Sequence, residues 1–164
     1  MARDHRRRRL SLQTGLTLLE LILTCSILLI LASMALPIAR YTAQRAREAE
    51  LRHDLQDMRD AIDRYKDLAD HGQIRVDISS GGYPPDLDTL VKGIPLTGTA
   101  SGSGNKKIRF LRRVPVDPMT GQADWGLRSV EDDPDSTNWG GKNVFDVYSK
   151  STGTGMNGTK YSEW

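Results

Sequence analysis

The strongest constraint on this chain is a run of 24 residues, Leu16 to Ala39 (LTLLELILTCSILLILASMALPIA), in which Glu20 is the only charged side chain. As an α-helix, at about 1.5 Å per residue, the run reaches roughly 36 Å, enough to cross a hydrocarbon core of about 30 Å. A core helix this uniformly apolar would need a larger protein around it than 164 residues, which is room for one domain. We therefore read residues 16–39 as a membrane helix.

Charge orients it. Arg3, Arg6, Arg7, Arg8 and Arg9 precede the run against Asp4 alone, whereas Arg40, Arg45 and Arg47 after it are interspersed with acids. The positive-inside rule puts the N-terminus in the cytoplasm and the body across the membrane. The formal net charge of +2 also resides in those first residues, for residues 16–164 carry 18 Lys and Arg against 20 Asp and Glu. A body without a basic excess is a poor nucleic-acid binder, so no nucleic-acid partner is expected. The single cysteine, Cys25, excludes an intrachain disulfide and a cysteine-ligated zinc site.

A cleaved secretory signal competes with the membrane reading, because Ser33-Met34-Ala35 has the small-x-small form of a cleavage site. Against it, the apolar block exceeds the usual h-region of about 7 to 15 residues, and Glu20 interrupts its start. An acid at that depth is costly, and its presence points to function. The alternative is a carboxylate that snorkels toward the headgroups.

Gly15-Leu16-Thr17-Leu18-Leu19-Glu20, after a short basic leader and before a long apolar helix, resembles the type IV prepilin signal of the pilin and pseudopilin families. The resemblance implies cleavage between Gly15 and Leu16 by a membrane prepilin peptidase that also methylates the new terminus. Leu16 then takes the place of the commoner phenylalanine, and Glu20 is the fifth mature residue. A freed amine at Leu16 and the Glu20 carboxylate are opposite charges in a poor solvent, so pairing offsets a desolvation neither escapes alone. The family implies that the amine belongs to a neighbouring subunit. Pro37 also matches the family, and it removes the hydrogen bond its N–H would have made to the Ser33 carbonyl. We expect a kink or a melted turn over residues 33–37; the plainer reading is that Pro37 marks the end of the membrane segment.

Beyond Pro37, Leu51, Leu55, Met58, Ile62, Tyr65 and Ala69 alternate spacings of four and three, which places them on one stripe of a helix. Glu48 with Arg52 and Asp60 with Arg64 are expected as i,i+4 ion pairs on the solvated face. Gly72 reads as the stop. His53 and His71 have no metal-ligand spacing, and no metal site is assigned.

The remainder is rich in turns. Asp86 to Val91 can form a short helix, and the loop Thr97 to Asn105 lacks the ending a phosphate cradle needs. Ile108–Leu111, Trp125–Val130 and Val144–Ser149 read as three antiparallel strands, the first two joined by the turn Val114-Pro115-Val116-Asp117-Pro118-Met119-Thr120-Gly121. The expected fold is α+β and pilin-like: a leader (1–15), an assembly helix (16–39), an amphipathic helix (40–72) and a globular part (73–164) whose sheet of about three strands packs on the apolar stripe.

Tyr83-Pro84, the short helix, Val114-Pro115-x-Asp117-Pro118 and the closing Val144-x-Asp146-Val147-Tyr148-Ser149 up to Trp164 resemble the major pseudopilin of type II secretion systems. The chain departs from it near residues 73–82 and 96–106 and in the acidic loop 131–138. That family commonly binds calcium in its last loop. Here Lys150 to Lys160 (KSTGTGMNGTK) holds no carboxylate, and no calcium site is carried over.

The resemblance implies a structural subunit and no enzyme. It would self-polymerise into a periplasmic filament with an inner-membrane platform and ATPase, minor pseudopilins and an outer-membrane secretin as partners. A surface pilin for adhesion, motility or DNA uptake is the alternative in the same class. A membrane-tethered periplasmic enzyme or binding protein, or a protein released after Ala35, are alternatives from other classes.

Overall fold

The computed structural model describes residues 17–97 and 106–164, and of residues 34–38 the backbone alone. The fold is α+β: one long N-terminal helix and two small antiparallel sheets. The chain divides into two compact units, residues 1–42 and 43–164.

Helix α1 runs from Leu18 to Asp70 without a break. Its backbone stays helical over residues 33–37, so the melted turn expected before Pro37 does not form; the Pro37 side chain lies outside the described residues. The helix stops where expected, Gly72 taking φ +66, a left-handed conformation that glycine adopts without a Cβ clash.

In the second unit, α1 presents the predicted stripe to the core. Leu51, Leu55, Met58, Ile62 and Tyr65 are buried, with Ala61 beside them and Ala69 partly covered. Ile74, Leu87, Leu90, Phe110, Trp125, Val144, Val147 and Tyr161 close over that stripe. Helix α2 (Leu87–Lys92) forms because Asp86 caps it, its Oδ1 accepting from Thr89 N at 2.6 Å and Thr89 Oγ1 at 2.7 Å.

The strands differ from the single three-stranded sheet that alternation predicts. Strand β1 (Ile94–Pro95) pairs with β2 (Lys107–Ile108), and β3 (Trp125–Arg128) pairs separately with β4 (Asp146–Ser149), both antiparallel. Residues 110 and 111 do not extend β2 toward β3. The N–H groups of Phe110 and Leu111 both donate to Leu90 O, a carbonyl that the last turn of α2 leaves free, and this turns the chain away. In the second sheet Gly126 faces Tyr148 across the register. A Cβ at Gly126 would fall inside the tyrosine ring, which lies across the glycine while Arg128 sits 4.1 Å from the ring centroid.

Candidate functional site

The apolar part of α1 in the first unit is exposed on every side. Leu18, Leu19, Leu21, Ile22, Leu23 and Ile27 to Leu31, which together go all round the helix, have half or more of their surface uncovered. A helix apolar all round requires an apolar environment. Its polar side chains are already satisfied: Thr24 Oγ1 donates to Leu21 O (3.0 Å), Ser26 Oγ to Ile22 O (2.7 Å) and Ser33 Oγ to Ile30 O (2.7 Å). Hydroxyls turned back onto their own helix leave no donor seeking water.

Among the described residues, no helix is long and apolar enough to cross a membrane. Leu18 to Ser33, the stretch with described side chains, spans about 24 Å at about 1.5 Å per residue, short of a hydrocarbon core. The remainder of the predicted segment runs through residues 34–38.

Glu20 lies in the first turn of α1. Its N–H donates to Thr17 Oγ1 at 3.2 Å, and Leu21 N donates to Thr17 O at 3.1 Å, so Thr17 caps the helix. Thr17-Leu18-Leu19-Glu20 has the spacing of a capping box, a signal present in the sequence and passed over in favour of the charge at Glu20. Among the described residues no cation pairs with the Glu20 carboxylate. The proposed processing residues Gly15 and Leu16 lie outside the described residues.

In the second unit, three carboxylates fasten the C-terminal half to α1 and to itself, and the sequence reading missed all three. Glu48 is buried, and its Oε1 accepts from Gln44 Nε2, Tyr161 OH and Met156 N, each at 3.0 Å. Burial, aided by the Glu48 carboxylate and opposed by Gln44, raises the Tyr161 phenol above its ordinary range, which keeps it a donor. The expected Glu48–Arg52 pair is therefore absent. Arg52 stacks on Trp164 instead, 4.1 Å from the ring centroid, and Arg64 donates to Asp60 O, not to the Asp60 carboxylate. A signal for Glu48 existed: counting back from Leu51, Glu48 and Gln44 continue the four-and-three phase of the stripe.

Asp146 accepts from Arg59 Nε at 2.7 Å and from Arg128 Nη1 at 3.3 Å, tying β4 to α1 and to β3. Fully buried Asp117 accepts from Met119 N (2.8 Å) and Ser149 Oγ (2.6 Å). The two motifs that carry the resemblance in this half, Val114-Pro115-x-Asp117-Pro118 and Val144 to Ser149, thus meet at one hydrogen bond.

In the last loop, Asn157 Oδ1 accepts from Thr159 N and Oγ1, Gly155 N donates to Thr159 O, and Thr154 bridges Lys160. None of the loop's oxygens is a side-chain carboxylate, a poor donor set for a hard divalent ion. No group of three or more His, Cys, Asp or Glu that could hold a metal occurs among the described residues. In the acidic loop, Asp132 Oδ2 accepts from Ser129 N (2.7 Å) and Gly140 N (3.0 Å), and these two N–H groups hold its carboxyl below the ordinary range. This is loop closure.

Asp54 on α1 is in the opposite situation. Burial raises its carboxyl, the Glu50, Asp57 and Asp117 carboxylates raise it further, and His53 pulls the other way. An acid raised on folding weighs against the folded state while ionised, and that weight disappears as pH falls through its folded pKa. Asp54→Asn is expected to raise the melting temperature by about 2 °C at neutral pH and to give no gain at about pH 3, where the carboxyl is protonated in the folded and the unfolded chain alike. Paired thermal melts at the two pH values check this.

Compared with models of protein families, with curated proteins and with solved structures, the chain finds no match.

Proposed function

We propose that this protein is a structural subunit, a pseudopilin that polymerises through its N-terminal helix into a periplasmic pseudopilus serving type II protein secretion. The observation that carries the reading is a helix apolar on every side whose first turn holds one carboxylate, Glu20, with no paired cation among the described residues. Such a segment is suited to apolar surroundings, and its lone acid needs a positive group from elsewhere. The α-amine freed by cleavage between Gly15 and Leu16 on a neighbouring copy is that group. In this reading residues 16–39 are held in the inner membrane before assembly, with the body in the periplasm. Buried Glu48 and Asp117 and half-buried Asp146 serve the body's architecture, so no catalytic role is assigned to them.

Intact mass and N-terminal sequence of the protein from its native membrane test the proposal. A chain that begins at Leu16 and carries one additional methyl group is expected. A chain that begins at Leu36, or at Met1 uncut, overturns it.

A further inference from the structure

The second unit carries two charged surfaces that lack partners. Lys106, Lys107, Arg109, Arg112 and Arg113 follow one another without an intervening acid, and all five are exposed. Among the described residues none of them forms an ion pair, although Asp54 and Asp57 line a groove with Arg112 and Arg113. The second surface is the loop after β3. There Asp132 is used in closing the loop and Glu131 pairs with Lys142 at 3.4 Å, but the exposed carboxylates of Asp133 and Asp135 have no partner among the described residues. Two aromatic rings lie on the same stretch, Trp139 at 40% exposure and Phe145 at 48%. Buried Asn143 organises the stretch, its Oδ1 accepting from Val130 N (3.1 Å) and its carbonyl from Trp139 Nε1 (2.7 Å). Exposed carboxylates and partly exposed aromatic rings on one stretch of chain make a surface suited to cations.

Residues 108–113 of the first surface and Phe145 at the end of the second lie on opposite sides of α1. Asp57, Arg64 and Leu68 line the grooves beside residues 108–113. Arg59 bonds Asp146, and Lys66 lies over Tyr83, which packs edge-on against Phe145. From Asp57 to Arg59, or from Arg64 to Lys66, is about 200° around a helix of about 3.6 residues per turn. One chain cannot bring its own surfaces together, but two copies can. A contact between different patches on identical subunits is heterologous, and when its rotation does not close a ring it continues as an open helical array.

We infer that the cation run Lys106 to Arg113 of one copy docks on the acidic and aromatic loop 131–145 of the next, as a lateral contact between bodies. This rests on the assembly reading above and adds to it the contact that sets the spacing of the bodies. The occupant is argued from charge: the five charged residues of the run are all cations, and Asp133 and Asp135 are exposed carboxylates without a partner among the described residues.

Charge exchange in the full-length protein, expressed in its native membrane, tests this. Lys107→Glu with Arg109→Glu, and separately Asp133→Lys with Asp135→Lys, are each expected to lower the recovered high-mass assemblies at least fivefold. The chain carrying all four substitutions is expected to recover at least half of the wild-type amount. Assembly of either double variant at the wild-type level, or no recovery in the fourfold variant, overturns the inference. Glu20→Ala run in parallel separates the two ideas: if the wild type assembles and Glu20→Ala does not while both double variants do, only the lateral contact is wrong. If the wild type forms no assembly, both are wrong. Sedimentation with phosphatidylglycerol vesicles is the remaining arm. Loss of vesicle binding by Lys107→Glu/Arg109→Glu with assembly unchanged would assign the cations to a lipid surface and overturn the inference.

Discussion

Replacing Glu20 with alanine is expected to abolish recovery of assembled protein while leaving the body folded. Removing one partner of an ion pair in a poor solvent strands the other charge, and the loss corresponds to roughly 100-fold or more in an association constant. Glu20→Gln keeps the size and polarity but not the charge, and it should fail nearly as badly. Thr17→Ala supplies the control. It removes the hydroxyl that accepts from Glu20 N, an effect of about 1 kcal/mol on the end of one helix, and should reduce assembly only a few-fold. Filament recovery after shearing, together with circular dichroism of each variant, reads both effects. If Glu20→Ala assembles as the wild type does and Thr17→Ala is the weaker of the two, Glu20 is an ordinary first-turn acid that favours the helix dipole, and the assembly reading fails.

The second large effect is expected at Glu48. Alanine there leaves the Tyr161 hydroxyl, the Met156 N–H and the Gln44 amide without their common acceptor. At about 1 to 3 kcal/mol for a buried group left unpaired, with some relief from water entering at Gln44, the total is about 3 kcal/mol. For a body of this size that lowers the melting temperature by roughly 10 °C or more. Glu48→Gln retains an acceptor oxygen and should lose less than half as much, and Tyr161→Phe, which removes one donor, about 1 kcal/mol. Thermal melts in detergent should be unmoved by a calcium chelator, because Glu48 and the loop's own hydrogen bonds close residues 150–160. A chelator-dependent melting temperature, or a Glu48→Ala variant as stable as the wild type, would refute this account.

Periodic features were legible in the sequence because they are set by local geometry. The stripe from Leu51 to Tyr65, the short helix that starts near Asp86 and the stop at Gly72 depend on residues within a turn or two of one another, and the structure has each of them. What the sequence misrepresented depends on distant partners. Residues 108–111 have strand character, but the free carbonyl of Leu90 captures Phe110 and Leu111, and the single sheet becomes two. Glu48 and Arg52 have ideal ion-pair spacing, worth about 0.2 to 0.5 kcal/mol on an exposed helix. Three hydrogen bonds on one side and the Trp164 ring on the other outweigh that. The candidate site divides the same way: Glu20 and its capping threonine are adjacent and readable, whereas Asp117, Asp146 and Glu48 acquire their roles only when the ends of the body meet.

That meeting has a consequence for synthesis. The donors to Glu48 from Met156 and Tyr161 are 108 and 113 residues further along the chain. Until both have been translated, α1 carries a carboxylate on its apolar stripe with Gln44 as its only donor among these three, and the body must close one of the longest loops available to it. Chains interrupted before Met156 would keep that defect permanently and should be degraded. A residue near the beginning of the body thereby makes the stability of the protein conditional on its completion.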